Sequence, residues 1–345
     1  SSAWGRQNYG QASDERNQNT VLTFDNVATY NERFGKHGLE VMAGASWTDS
    51  DYRNSWINGS HFRDSIIQTL NAANKIAWDN TGTSASQWGI MSYFGRAYYN
   101  YDSKYLLTAN IRMDGSSKLH PDHRWGTFPS FSAAWRISSE SFMNGLDWLD
   151  DLKLRGGWGQ TGNQSGIGDY AYLQLYKIKR YEWYKEGQEN ILPTLIQDNL
   201  RTKDLTWETT TQTNVGVDFT AFNNRLTITA DYYYKKTTDM LMKVTLPEGQ
   251  GSSTIYRNEG EMVNKGFEFG INSRNLQGVF DWSTDFNISF NRNKLTKLEL
   301  VKIYNDAKTS DYTNETVVRN VEGRPLGGFY GYISDGVNPE TGELM

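Results

Sequence analysis

Residues 105–114, YLLTANIRMD, alternate strictly. Tyr105, Leu107, Ala109, Ile111 and Met113 fall on one parity; Leu106, Thr108, Asn110, Arg112 and Asp114 fall on the other. A period of two gives one apolar and one mostly polar face, the pattern of a half-buried strand. It returns in 131–137 (Phe131, Ala133, Trp135, Ile137), in 225–234 (Leu226, Ile228, Ala230, Tyr232, Tyr234) and in 282–291 (Trp282, Phe286, Ile288, Phe290). Weaker alternation covers 20–30, 39–47, 90–101, 152–159, 207–219 and 265–273. The pattern predicts ten strands, with an eleventh near 329–333, and an all-β fold.

The connections between these strands carry as much information as the strands. Short links containing FGKHG, DSK, AFNNR and NLQG join them into hairpins, and long polar segments at 49–89, 160–206 and 235–264 separate the hairpins. Short turns at one end and long loops at the other are the layout of an outer-membrane β-barrel, whereas a soluble sandwich has no reason to lengthen every second connection. Two links, 115–130 and 138–151, fit less well because they are similar in length. The second, SSESFMNGLDWLDD, reads as a short helical turn with Ser138 or Ser139 as N-cap. Aromatic residues gather beside short turns: Tyr98, Tyr99, Tyr101 and Tyr105 at one, Phe219 and Phe222 at another. That placement suits an aromatic girdle at a membrane interface, and also edge-strand packing in a soluble β-protein. The polar parity (Asn110, Arg112, Asp114, Asp231, Asp285, Asn287) is either a solvated sheet surface or the lining of a hydrated lumen. The lumen follows if Ile111, Trp135 and Ile228 on the other parity meet lipid.

Composition narrows the choice. Hydrophobic residues make up only 37%, yet 14% of the chain is aromatic, which suits strands whose rings meet both oil and water. No run approaches the roughly 18 apolar residues of a membrane helix. A mean hydropathy of −0.70 still allows a barrel, in which only every second residue faces lipid. The net charge of −5 argues against a broad footprint for nucleic acid. The chain has no cysteine, which removes disulfides, thiolate chemistry and zinc–sulfur sites together. SSAWGRQNYG at the N-terminus is not a signal sequence.

Candidate chemistry is sparse. Gly157-Trp158-Gly159-Gln160-Thr161-Gly162 matches G-x-G-x-x-G, and Glu182 follows twenty positions after the last glycine. A dinucleotide site needs a helix after the glycines, and NQSGIGDYAYLQLYK has no helical spacing. Gly156, Gly157 and Gly159 are better read as a strand bending out of the sheet into a long external loop. His120-Pro121-Asp122-His123 reads as a solvated turn rather than a metal site, and Asp150-Asp151 has no His, Cys or Ser partner in a catalytic arrangement. No catalytic, cofactor or metal site is expected, and so no enzyme. Trp183, Tyr184 and Trp56, on polar segments, are candidates to stack on sugar rings or hold peptide side chains; packing within their own loops is the competing reading.

One further signal is a resemblance. IRMDGSSKLHPDHRWGTFPSFSAAWRISSESF (111–142) and LKLRGGWGQTGN (152–163) resemble the barrel of the SusC/RagA family of TonB-dependent outer-membrane transporters of Bacteroidetes. The likeness continues through LTWETTTQTNVGVDF, DYYYKKTTDML, NEGEMVNKGFEF and EGRPLGGFYGYISDGV in the same order, while KLHPDH at 118–123 departs from the usual loop. The resemblance implies a transmembrane barrel of roughly 22 strands filled by an N-terminal plug, in the outer membrane. It implies a SusD-like surface lipoprotein as lid, the TonB–ExbB–ExbD complex as energy source, and imported oligosaccharides or peptides. Plug and TonB box have no counterpart in residues 1–345, which are therefore expected to be part of a barrel. The rival functions are a surface adhesin or structural barrel without transport, and a soluble secreted β-sandwich that binds glycans; an outer-membrane protease barrel lacks a catalytic group.

Overall fold

A computed structural model describes residues 10–62, 69–77, 80–180, 193–245, 254–298 and 318–331, with a few further residues up to Gly342. Ten long strands form one open antiparallel sheet. In chain order they are β1 (Gln11–Phe34), β2 (His37–Phe62), β4 (Gly82–Tyr101), β5 (Tyr105–Ser116), β6 (Trp125–Arg136), β7 (Leu149–Asn163), β10 (Glu208–Ala221), β11 (Leu226–Thr238), β14 (Glu261–Leu276) and β15 (Trp282–Lys297). Each pairs with its successor in that order. Short β3 (Ala73–Ile76) adds to β2, while β8 (Tyr176–Arg180) with β9 (Pro193–Gln197) and β12 (Leu241–Thr245) with β13 (Thr254–Asn258) form hairpins in the long connections.

All ten alternating segments are strands. The eleventh is not part of the sheet among the described residues: β17 (Gly328–Phe329) is two residues long and pairs with β16 (Val318–Arg319). The segment 49–89 is also mostly strand rather than loop, because β2 runs to Phe62 and β4 starts at Gly82. The awkward links resolve for the same reason: β5 and β6 extend until only 117–124 separates them, on the long-loop side. Residues 137–148 lie on the short-turn side as two single 3-10 turns, Ile137–Ser139 and Ser141–Met143. Their N-caps are Arg136 and Glu140, without side-chain capping bonds; the Ser138 hydroxyl instead donates to Asp151 at 2.8 Å.

Register decides what each face carries. Ile111 lies beside Gly95, Phe131 beside Trp158, Val217 beside Leu154 and Ala230, and Phe269 beside Ile288. The apolar parities of all ten strands therefore share one face, and it is uncovered: Ile111, Phe131, Val215, Tyr232 and Phe286 are each 50–54% exposed. Aromatic rings edge this face at both ends. Near the short turns, Tyr101 meets Tyr105, Tyr105 stacks on Trp135, and Trp148 touches Phe219 and Phe222. Near the long loops, Tyr93 stacks on Trp125 at 6.0 Å. From His37 to Trp47 on β2 the apolar parity spans about 33 Å of strand, or about 25 Å at the roughly 40° tilt of membrane barrels, the height of their apolar band.

The compact core lies elsewhere, among the long connections. Leu119, Phe128, Ile167, Ala171, Leu205, Trp207 and Leu241 bury one another. Only Phe128 comes from the sheet interior, and it projects from the polar face. Its ring explains Gly162: a Cβ there would sit 2.1 Å from Phe128 Cζ. The GWGQTG stretch is thus entirely within β7, and its glycines accommodate neighbours rather than carry the chain out of the sheet.

Candidate functional site: the polar face

Asn110, Arg112, Asp114, Asp231, Asp285 and Asn287 all fall on the face opposite the apolar one. Asn110 lies beside Ser130, Ser130 beside Gly159, Gly159 beside Gln212, and Gln212 beside Lys235; stepping by twos along these strands reaches Arg155, Asp218 and Asp231. On β5, Arg112 grips Asp114 through Nε at 2.8 and 2.9 Å and donates to the Ser92 hydroxyl at 2.9 Å. Asn110 donates to Ser130 at 3.0 Å. Asp285 and Asn287 stand exposed on β15, the edge strand of the described sheet.

The densest part of this face joins three strands. Arg155 on β7 donates through Nη2 to Asp231 on β11 at 2.6 Å and through Nε to Asp218 on β10 at 3.1 Å. Lys153 completes the group by pairing with Asp218 at 2.7 Å. To reach Asp231, Arg155 must cross the strand between them, and the residue directly in its path is Gly216. A Cβ on Gly216 would lie 2.3 Å from Asp231 Oδ1 and 2.9 Å from Arg155 Cζ. The glycine is the notch through which the ion pair passes. Beside this group a concavity of about 380 Å³ has a floor of small residues, Thr108, Ser132, Ala134 and Gly157, with Tyr98 and Asn214 at its rim.

Sequence reasoning picked out Asp231 and missed Lys153, Arg155 and Asp218. Their partners lie 63 and 76 residues apart in the chain, so only register brings them together. The available signal was that each sits at polar parity in consecutive strands: LKLRGG, VGVDF and TADYY.

The loop candidates fare differently. Trp183 and Tyr184 lie outside the described residues. Trp56 is on β2, half-buried with its ring against Gly82. Nearby, the upper ends of β1, β2 and β4 and Tyr170 enclose a polar cleft of about 1040 Å³ that includes Glu15, Asn17, Asp51, Arg53 and Asn54. His120 accepts from the Asp122 amide at 3.4 Å and meets Tyr172 edge-on, as part of a turn.

The long connections are braced rather than free. Trp207 packs edge-on against Phe128 and donates from Nε1 to the Arg124 carbonyl at 2.9 Å. Lys118 pairs with Asp169 at 2.9 Å and lies over the Trp88 ring. Asn258 exchanges hydrogen bonds with the Thr206 backbone and donates to the Asp239 carbonyl.

The sheet has one aromatic-edged apolar face and one charged, hydrogen-bonded face, and the chain matches over residues 1–335 the family described as TonB dependent receptor-like, beta-barrel. The chain belongs to that family. TonB-dependent receptor P39 of Formosa agariphila is 36% identical over 95% of this chain and 30% of its own length. TonB-dependent receptor SusC of Bacteroides thetaiotaomicron is 34% identical over 86% of this chain and 29% of its own. The solved structure of the RagAB peptide transporter superposes with a TM-score of 0.81 at 25% identity, covering 97% of this chain and 36% of that one. This TonB-dependent receptor chain thus spans about a third of the length of the relatives it matches. It is an outer-membrane β-barrel chain, and its relatives are receptors and transporters rather than enzymes.

Proposed function

We propose that these residues are the wall of a TonB-dependent importer: the apolar face meets outer-membrane lipid and the polar face lines a hydrated passage. In this reading the 345 residues are part of the barrel. The solute is an oligosaccharide or a peptide, delivered by a SusD-like surface lipoprotein, and the TonB–ExbB–ExbD complex supplies the work of release. The observation that carries the reading is the separation of the faces. Lys153, Arg155, Asp218 and Asp231 form a three-strand ion network on one side while the other side exposes rows of aromatic and aliphatic residues. A charged network belongs against water or protein, not hydrocarbon. The similarity to SusC supports the importer reading, and the likeness to RagAB, a peptide transporter, favours the peptide among the two solute classes.

The test uses cells producing the full-length protein with its neighbouring lipoprotein. Labelled oligosaccharides and peptides of graded size are supplied with and without TonB. Import predicts accumulation of one class that stops when TonB is deleted. Surface binding that is unaffected by TonB, with no accumulation of either class, is the behaviour of an adhesin and contradicts the proposal.

A further inference from the structure

We propose that the outward face of β11, β14 and β15 binds the phosphate-bearing headgroup of an outer-leaflet lipid. The site follows from register. Tyr234, Lys265 and Arg292 lie side by side on the three strands, and the next row toward the long loops is Lys236, Val263 and Lys294. Directly below is an apolar wall: Tyr232, Phe267 and Phe290 in one row, Ala230, Phe269 and Ile288 in the next. Phe267 and Phe269 stack at 6.4 Å. Two rows of cations therefore cap a greasy surface on the face assigned to lipid.

Their height is that of the headgroups. Arg292 stands ten residues beyond Trp282, the first residue of β15, as Trp47 stands ten residues beyond His37, the first of β2. Ten residues rise about 33 Å along a strand and about 25 Å along the membrane normal at a tilt of roughly 40°. Lys265 and Arg292 thus emerge where hydrocarbon gives way to polar headgroups, and the long-loop side is the external one.

The patch is local. Neither row contains an acidic residue; Glu261, one row further toward the long loops on β14, pairs with Lys236 at 2.8 Å. Lys265, Arg292 and Lys294 form no ion pair among the described residues and are exposed. At the same height, outward positions elsewhere are uncharged (Gly89 on β4, Gly115 on β5, Thr127 on β6, Gln160 on β7, Thr211 on β10) or acidic (Asp49 on β2), and further out β2 carries Asp51 and an Arg53 already paired with it at 2.9 Å. In a chain of net charge −5, unpaired cations concentrated here call for an anion. Ammonium and guanidinium groups bind phosphate through charge-assisted hydrogen bonds, the guanidinium with two at once. The rings beneath settle the source: a soluble anion gains nothing from Phe267 and Phe290, whereas acyl chains attached to the phosphate lie along them. The inference rests on the outward face meeting lipid, not on import, so failure of transport leaves it standing.

The test is full-length transporter in nanodiscs of phosphatidylcholine, titrated with diphosphoryl lipid A, dephosphorylated lipid A and inorganic phosphate, with bound lipid read by native mass spectrometry. The unmodified protein is expected to retain diphosphoryl lipid A in preference to the dephosphorylated form. The triple variant K265Q/R292Q/K294Q is expected to lose on the order of a hundredfold in apparent affinity. R53Q, on the opposite part of the same face, is expected to change nothing. Heat-modifiable mobility on gels verifies that each variant is a folded barrel, and K294Q alone, on the edge strand, serves if the triple variant fails that check, with a loss of roughly fivefold expected. Equal retention by variant and unmodified protein, equal binding of dephosphorylated lipid, or equal binding of inorganic phosphate overturns the proposal.

Discussion

Gly216 matters for what it lacks. Arg155 reaches Asp231 only because no side chain rises from the strand between them. Gly216→Val is expected to push the guanidinium off Asp231 and lower stability by about 1–3 kcal/mol, the range for losing a charge-assisted hydrogen bond in a partly buried group. Urea unfolding of the protein in lipid vesicles measures it. Arg155→Met/Asp231→Asn is expected to lose less than Arg155→Met alone, since the single change strands Asp231 and the double change leaves no charge stranded, Asp218 keeping Lys153. Glu140 offers a second residue-scale test, outside the spanning strands. Its carboxylate accepts from Tyr105 at 2.6 Å, Lys104 at 3.1 Å and Trp135 at 3.2 Å. These bonds, Tyr105 first, hold its pKa below the usual glutamate value. A lowered folded-state pKa stabilises above the unfolded value, near 4.3, and that contribution disappears as pH falls through the folded value. Hydrogen exchange across 137–148 is expected to be flat from pH 7 to about 5 after correction for intrinsic rates, and to accelerate below about pH 4. Glu140→Gln is expected to remove the pH step. A step that survives in Glu140→Gln assigns it to another group, such as Asp102, whose pKa Lys36 lowers in a neighbouring turn.

Among the elements, how much could be read from sequence depended on what surrounds each strand. Where one face of the sheet is apolar and the other polar, parity shows plainly, and all ten strands are visible in residues such as Ile111 against Arg112 or Phe286 against Asp285. Beyond the apolar band both faces are polar, and the signal vanishes. On β1 and β2 the upper stretches Asp14–Asn19 and Asp49–Ser55 are polar on both parities, which is why 49–89 reads as a loop and Trp56, just beyond, as a loop residue. Gly157 and Gly159, read as a bend out of the sheet, misled for another reason: a Cβ there would meet Asn214 at 2.9 Å and Ser130 at 2.7 Å on adjacent strands, and only packing reveals that a side chain has no room. The ion network was equally hidden, because Lys153, Arg155, Asp218 and Asp231 are joined by register rather than by spacing. The long connections yield a prediction of their own. Trp207→Ala removes the ring packed on Phe128 and the bond to the Arg124 carbonyl, and large-to-small changes in such a cluster cost about 3–5 kcal/mol. Because this core lies above the sheet, the cost is expected to fall on the loops: 164–175 becomes protease-sensitive while the barrel keeps its heat-modifiable mobility. Loss of both together implies a single cooperative unit.

Taken whole, the sheet is, in the proposed reading, a wall with two solvents. Burial runs contrary to a soluble protein's: the largest apolar rows are the exposed ones, and charged groups are bonded to one another on the opposite side. Membrane assignment, the passage and the lipid site on β11, β14 and β15 all depend on which face meets hydrocarbon. Residues 1–345 contain no cysteine, so, with any cysteine elsewhere in the full-length protein replaced, single cysteines can be placed and labelled one at a time. In full-length protein reconstituted with brominated phospholipid, a fluorophore at Ile111→Cys, Trp135→Cys or Ile228→Cys is expected to be strongly quenched. At Asn110→Cys, Arg112→Cys or Thr229→Cys it is expected to escape quenching, and the thiol to react with a charged water-soluble reagent. The reverse pattern, with lipid quenching at 110, 112 and 229 and water access at 111, 135 and 228, contradicts the account.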